Sequence, residues 1–175
     1  MNKYLSILLI ILTAILLVAC RASEPVQPVP GEPVKPGDQV DGFTFTNGGK
    51  DTAQNLIAYM DSGNCKQQAG QEIYICQIST GEKHIISPGI YADISSGKSL
   101  DTIWDEHTME MFIGDRPIDL AAFGSIDAMH PRVGPMRFHD IAIQTDKPGE
   151  IIVRTSGVVH GESFGDTTTY VASAP

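Results

Sequence analysis

His107, Met109 and Met111, in the run His107-Thr108-Met109-Glu110-Met111, put an imidazole and two thioethers on one face of an extended strand. Soft sulfur plus imidazole is the donor set that Cu(I) selects, and Met129, His130, Met136 and His139 are available as further ligands from a neighbouring loop. The same spacing has a plainer reading. Met109, Met111 and Ile113 are the inward row of a core strand, where methionine fills irregular gaps. The core reading is preferred, copper is kept as the alternative, and no cofactor is expected. Asp105-Glu106-His107 and His139-Asp140 set carboxylates beside imidazoles, the material of acid–base chemistry. Adjacent strand residues face opposite ways, however, so these sequence neighbours are not partners. No serine is read as a nucleophile elbow and no His-Glu-x-x-His occurs, so no enzymatic activity is expected.

Binding is the better reading. His160-Gly161-Glu162-Ser163-Phe164-Gly165-Asp166 is a glycine-rich connection carrying one aromatic, and such end loops often recognise partners. His84 and Tyr91, on either side of Ser87-Pro88-Gly89, are expected to pack. Trp104, the single tryptophan, has no aromatic companion at strand spacing and reads as a core anchor. Cys65 and Cys76 are expected to form a disulfide. A free thiol pair or two metal ligands are the alternatives, and the spacing, with no neighbouring Cys or paired His, argues against zinc.

The elements that must position these residues are strands. Short apolar runs separated by Gly, Pro, Asn and Asp predict strands at Phe43–Thr46, Leu56–Met60, Glu72–Ser79, Lys83–Ser87, Ile90–Ile94, Thr108–Ile113, Arg116–Leu120, Arg137–Thr145, Ile151–Ser156 and Thr167–Ala172. Short helical turns fit Thr52–Gln54, Ser99–Glu106 and Ala121–Ala128. A two-residue turn at Gly114-Asp115 pairs Ile113 with Arg116, then Met111 with Ile118 and Met109 with Leu120. Pro117 makes its strand an edge. The expected fold is all-β. Lys147-Pro148-Gly149 through Arg154 and Asp166 through Tyr170 resemble the closing hairpin of immunoglobulin-like and fibronectin-like modules. That resemblance implies an immunoglobulin-like β-sandwich of antiparallel strands.

The chain has 175 residues, 42% of them hydrophobic and 19% charged, with 12 Lys+Arg against 21 Asp+Glu. A length of this order fits one domain with appendages. The formal charge of −9, with scattered arginines, argues against nucleic acid as a partner. Lys3 precedes a dense apolar block from Leu5 to Val18, the layout of a secretory signal too short to span a bilayer. The block ends in Leu17-Val18-Ala19-Cys20, which resembles the lipobox of bacterial lipoproteins. The resemblance implies a signal peptide over 1–19, a lipid-modified Cys20 and a membrane anchor there. The anchored domain is expected outside the cytoplasm, at the cell surface or in the periplasm, and Arg rather than Asp at position 21 favours the outer membrane if the cell is Gram-negative. Residues 20–36 contain five of the 11 prolines and read as an extended tether. Residues 37–175 are the domain proper. Setting aside Lys3, Arg21 and Lys35, and Glu24 and Glu32, leaves 9 basic and 19 acidic residues, or −10. Such a domain is repelled by anionic lipid and stands off the membrane. The expected function is a lipid-anchored, extracytoplasmic binding module whose partner is a protein or a cell-envelope polymer.

Overall fold

The computed structural model describes residues 31–49, 64–92 and 97–174. Cys20, the lipobox, most of the tether, the Leu56–Met60 run and the Thr52–Gln54 turn lie outside the described residues. In chain order the elements are β1 (Gln39–Val40), β2 (Phe43–Asn47), β3 (Cys65–Gln67), β4 (Ile73–Ser79), β5 (Lys83–Ile85), β6 (Gly89–Tyr91), α1 (Leu100–Glu106), β7 (Thr108–Ile113), β8 (Arg116–Pro117), α2 (Leu120–Phe123), β9 (Ser125–His130), β10 (Gly134–His139), β11 (Ile141–Gln144), β12 (Gly149–Val159) and β13 (Glu162–Ser173). Neither helix is long and apolar enough to cross a membrane.

The fold is mostly β, in three sheets ordered β1-β2-β11-β5, β6-β10-β9 and β3-β4-β13-β12-β7-β8. The first two are antiparallel, but β4 and β13 run parallel, with Thr168 opposite Tyr74 and Tyr170 opposite Cys76. This three-sheet partition and the parallel pair depart from the two antiparallel sheets expected. A parallel pair between β4 and the last strand is a long-range choice that no local turn signal encodes.

The inward rows are those the alternation predicts. Ile151 and Val153 of β12, Tyr170 and Ala172 of β13, and Met111 and Ile113 of β7 are buried against Phe43, Phe45, Ile141 and Ile143 of the four-stranded sheet. β11 is buried on both faces, since Ala142 faces the other way, into a second cluster with Ile85, Met136 and Phe138. A third cluster joins Ile90, Ala92 and Ile103 to the half-buried Trp104, Met109 and Val159.

The Gly114-Asp115 hairpin forms in the expected register, with Ile113 opposite Arg116 and Phe112 opposite Pro117. Gly114 has φ 57 while Asp115 does not have positive φ, the pattern of a turn with glycine first. β8 is an edge strand as expected, but it stops at Pro117. Asp119 accepts a hydrogen bond from the Ala122 N–H at 3.2 Å and so caps α2, which draws Leu120 out of the strand. The partner of Met109 is therefore not Leu120. Ser99 caps α1 in the same way, accepting from the Thr102 N–H at 3.2 Å. The helical turn expected over Ala121–Ala128 is divided between α2 and β9 at Gly124, whose φ is 71. The run Arg137–Thr145 is two strands, broken at Asp140 because its carboxylate accepts from the N–H groups of Gly48 and Gly49 at 3.1 and 3.4 Å.

One residue of the segment read as tether packs on the domain. Val34 is fully buried, its N–H donates to the Pro117 carbonyl at 2.8 Å, and its carbonyl accepts from the Asp119 N–H at 2.9 Å. A valine between prolines can reach the core as an added strand, and this one covers the open side of β8. The disulfide is present: Cys65 and Cys76 face each other across β3 and β4 with Cα atoms 4.0 Å apart.

Candidate binding groove

The β12–β13 hairpin is the longest ribbon in the fold, and its outer half overshoots the main core. Along the inner face of β13 the side chains change from Ala172 and Tyr170, both buried, to Thr168 and Asp166, half-buried, and then to the exposed Phe164. The ribbon closes at His160-Gly161, where both residues have positive φ, 55 and 81, and Val159 pairs with Glu162. That is the two-residue turn whose twist suits a hairpin. The connection expected over His160–Asp166 is thus only two residues long, and the rest of it is strand.

Facing this overhang is the segment 86–91, which leads into β6. Between β6 and the hairpin tip lies a groove of about 280 Å³, walled by Gly89, Ile90 and Tyr91 on one side and by Val159, His160, Glu162, Ser163 and Phe164 on the other. It adjoins a cavity of about 200 Å³ that runs inward beneath 86–89 to Met109, Met111, Asp166, Thr168 and Tyr170. Gly89 and Phe164 border both spaces. Phe164 is seated on Gly157, its cross-strand partner. A Cβ at 157 would come within 3.0 Å of the Phe164 ring and 2.0 Å of the Thr108 carbonyl oxygen, so only glycine fits. Tyr91, which was expected to pack, is 47% exposed, and its ring stands 5.7 Å from that of His160. Burial raises the pKa of the Asp166 carboxyl, and repulsion from Glu72 raises it further, against a lowering hydrogen bond from Thr168. Among the described residues no Lys or Arg lines either space. A larger hollow, about 430 Å³, lies on the outer face of the same sheet over Gly165, but its arginine, Arg154, is already held by the Gly114 carbonyl and Asp115.

The other candidate residues are distributed otherwise. Met111 is 2% exposed in the main core, Met136 belongs to the second cluster, and Met109 packs with the third. His107 is not on the strand: it caps the C-terminus of α1, where its Nδ1 is bonded to the Trp104 carbonyl. His130 is buried, and its Nδ1 accepts from the N–H groups of Arg132 and Val133 at 3.1 and 3.3 Å, while Met129 points to solvent. The copper set is thus divided among separate clusters, although Met109 and Met111 do share the inner cavity. No three His, Cys, Asp or Glu side chains converge among the described residues.

His139 and Asp140 diverge. The carboxylate holds the Gly48–Gly49 turn, while the imidazole packs 4.8 Å from Trp104. Burial, and then the nearby His107, push the His139 pKa down to about 4. His84, as expected, is internal in role, since its Nε2 bonds to the Ser79 backbone at 3.0 Å. One pattern was missed: Gly161-Glu162-Ser163-Phe164-Gly165 does spell Gly-x-Ser-x-Gly. An elbow requires a sharp strand-to-helix turn, whereas Ser163 lies in an extended strand opposite Val158.

The convergence of Tyr91, His160 and Phe164 could not be read from sequence, because it depends on β6 meeting a hairpin tip far along the chain. No family model, no curated protein and no solved structure matches this chain.

Proposed function

We propose that this chain is a lipid-anchored, extracytoplasmic binding module that holds its partner in the groove between β6 and the tip of the β12–β13 hairpin. One observation carries the reading: Tyr91 and Phe164 keep 47% and 36% of their surface in solvent, at the mouth of a recess. Aromatic side chains at a concave mouth are what partner recognition uses. The likeness to immunoglobulin-like modules enters through the closing hairpin, whose tip forms one wall of the site. The anchor rests on the lipobox and the apolar block before it. The Cys65–Cys76 bridge suits an oxidising compartment outside the cytoplasm. The partner is a protein or a cell-envelope polymer, and the acidic domain does not seek nucleic acid.

Two experiments test this. Cys20→Ser should leave a precursor about 2 kDa heavier than the delipidated mature chain, because about twenty residues are retained. A Ser variant that is cleaved and membrane-bound like the parent overturns the anchor. A photo-crosslinking amino acid placed in cells at position 91 or 164 should give a discrete adduct that the same group at Glu150, on an exposed strand end, does not. Equal labelling at all three positions overturns the site.

A further inference from the structure

We infer that the partner is an extended peptide, which joins the free edge of β6 as an added strand and carries basic side chains; this rests on the groove reading above. Among the described residues β6 has a single strand neighbour, β10, with Ile90 opposite Arg137. The hydrogen bonds on either side fix the phase of that pairing: the His139 N–H donates to the Pro88 carbonyl at 3.0 Å and the Ala92 N–H to the Pro135 carbonyl at 2.8 Å. Antiparallel pairs alternate between bonded and non-bonded positions, so Pro88, Ile90 and Ala92 turn their backbone groups toward β10. Gly89 and Tyr91 turn theirs away, toward the groove. Among the described residues no hydrogen bond takes up the N–H or C=O of either one on that side.

An unpaired strand edge is a template for another backbone, and proteins that do not use such an edge usually blunt it with charge, proline or a covering segment. In this fold the edge of β8 is covered by Val34. The edge of β6 instead opens on a recess with an apolar wall of Val159 and Phe164. Gly89 has no side chain to obstruct an incoming strand, and it cannot gain one: a Cβ there would lie 2.2 Å from Phe138 Cδ1 and 2.6 Å from the Arg137 carbonyl oxygen. Backbone pairing supplies affinity in this mode, and alternate side-chain pockets supply specificity. Glu162 on the wall and Asp166 behind Phe164, with no lining cation among the described residues, select lysine or arginine at the peptide positions that reach them.

The test uses the purified full chain and a phage-displayed library of random nine-residue peptides. Recovered sequences should be rich in Lys and Arg. In a synthetic copy of one of them, N-methylation at alternate residues should weaken binding at least tenfold, while methylation at the intervening residues leaves it unchanged. By NMR the bound peptide should slow hydrogen exchange at the Gly89 and Tyr91 amides and leave the already bonded Ile90 amide as it was. Recovered peptides that tolerate N-methylation everywhere, or bind without slowing those two amides, overturn strand addition and leave the groove standing. If no peptide is recovered while position 91 still crosslinks to an envelope component, the peptide inference falls alone. If both the library and the crosslinker fail, the groove falls with it.

Discussion

On α1, Trp104 lies with His107 and His139 at ring distances of 4.4 and 4.8 Å and with the Arg137 guanidinium 5.6 Å from its centre. Beside the free edge of the same β6–β10 pair, Tyr91, His160 and Phe164 offer similar side chains. In the first group the charged and capping functions are occupied, although the buried His139 Nδ1 has no hydrogen-bond partner among the described residues. Arg137 is paired with Asp127 at 2.6 Å and Asp101 at 2.9 Å, and His107 is bonded to the Trp104 carbonyl. In the second group the rings stand in solvent at a recess, and the neighbouring backbone has unfilled hydrogen-bonding groups. Residue type alone would have marked the first group as the site, since it holds the tryptophan, two histidines and an arginine. What separates them is exposure and mutual packing. A cluster whose members bind one another holds the fold together, and one whose members face outward is free to bind something else.

The comparison breaks most visibly if Trp104 proves dispensable. Trp104→Ala should cost about 3 kcal/mol, the low end for removing a large aromatic from a packed site, because the ring is only half buried. Chemical denaturation measures this, and the photo-crosslinking adduct at position 91 should survive in the fraction that folds. A stable Trp104→Ala variant that loses the adduct would reverse the roles of the two clusters. Gly89→Ala tests the β6 edge, which lies on the groove wall and against the Arg137 backbone. Its methyl would press on Phe138 and on the Arg137 carbonyl, so a loss of about 2 kcal/mol from overpacking is expected, again by denaturation.

Titration sharpens the same contrast. His139 has its pKa lowered to about 4 from an ordinary 6.5, first by burial and then by His107. The unfolded chain therefore takes up the proton first, and stability falls as pH drops from about 6.5 towards 4. The full shift corresponds to roughly 3 kcal/mol, and partial solvent access around the ring reduces the expected loss to about 2 kcal/mol. His139→Gln should remove this slope, so that the denaturation midpoints of variant and parent diverge across the window instead of falling together. The Arg137 hydrogen bond lowers the Asp127 pKa, so that pair contributes above the ordinary carboxylate value of 3.8 and is lost only below the His139 window. A slope that persists unchanged in His139→Gln would show that His139 is not its source and that its imidazole titrates alike in the folded and unfolded chain.

Local features were legible from the residues alone. Gly114-Asp115 fixed a register, Ser99 marked the start of α1, and the period-two row Met109, Met111, Ile113 pointed inward. Cys65 and Cys76 had only each other once Cys20 was assigned to lipid. What failed was long-range or short-lived in sequence. β9 alternates Ile126 and Ala128 with polar residues, but one small and one partly buried side chain give too weak an apolar signal to outweigh the helix before it. The parallel β4–β13 pair and the docking of Val34 have no turn to announce them. The groove shares that opacity, because each of its residues looked ordinary until the edge of β6 and the hairpin tip were placed together.

The smallest expected effect is the most discriminating. Tyr91→Ala should change stability by less than about 0.5 kcal/mol, because a half-exposed ring with one tilted neighbour loses little when removed. Its backbone N–H and C=O remain, so strand addition survives while the side-chain contact is lost. Affinity for a library-selected peptide should therefore fall by a modest factor, about three- to tenfold, with the alternate N-methyl pattern intact. Tyr91→Pro removes the N–H itself and should abolish the pattern at the peptide residue opposite. That amide faces away from β10, so proline there breaks no existing ladder bond. Unfolding midpoints of the two variants, read beside their peptide affinities, separate the edge from the ring. If Tyr91→Ala is as damaging to stability as Trp104→Ala, the open cluster is structural after all, and the distinction between the two groups does not hold.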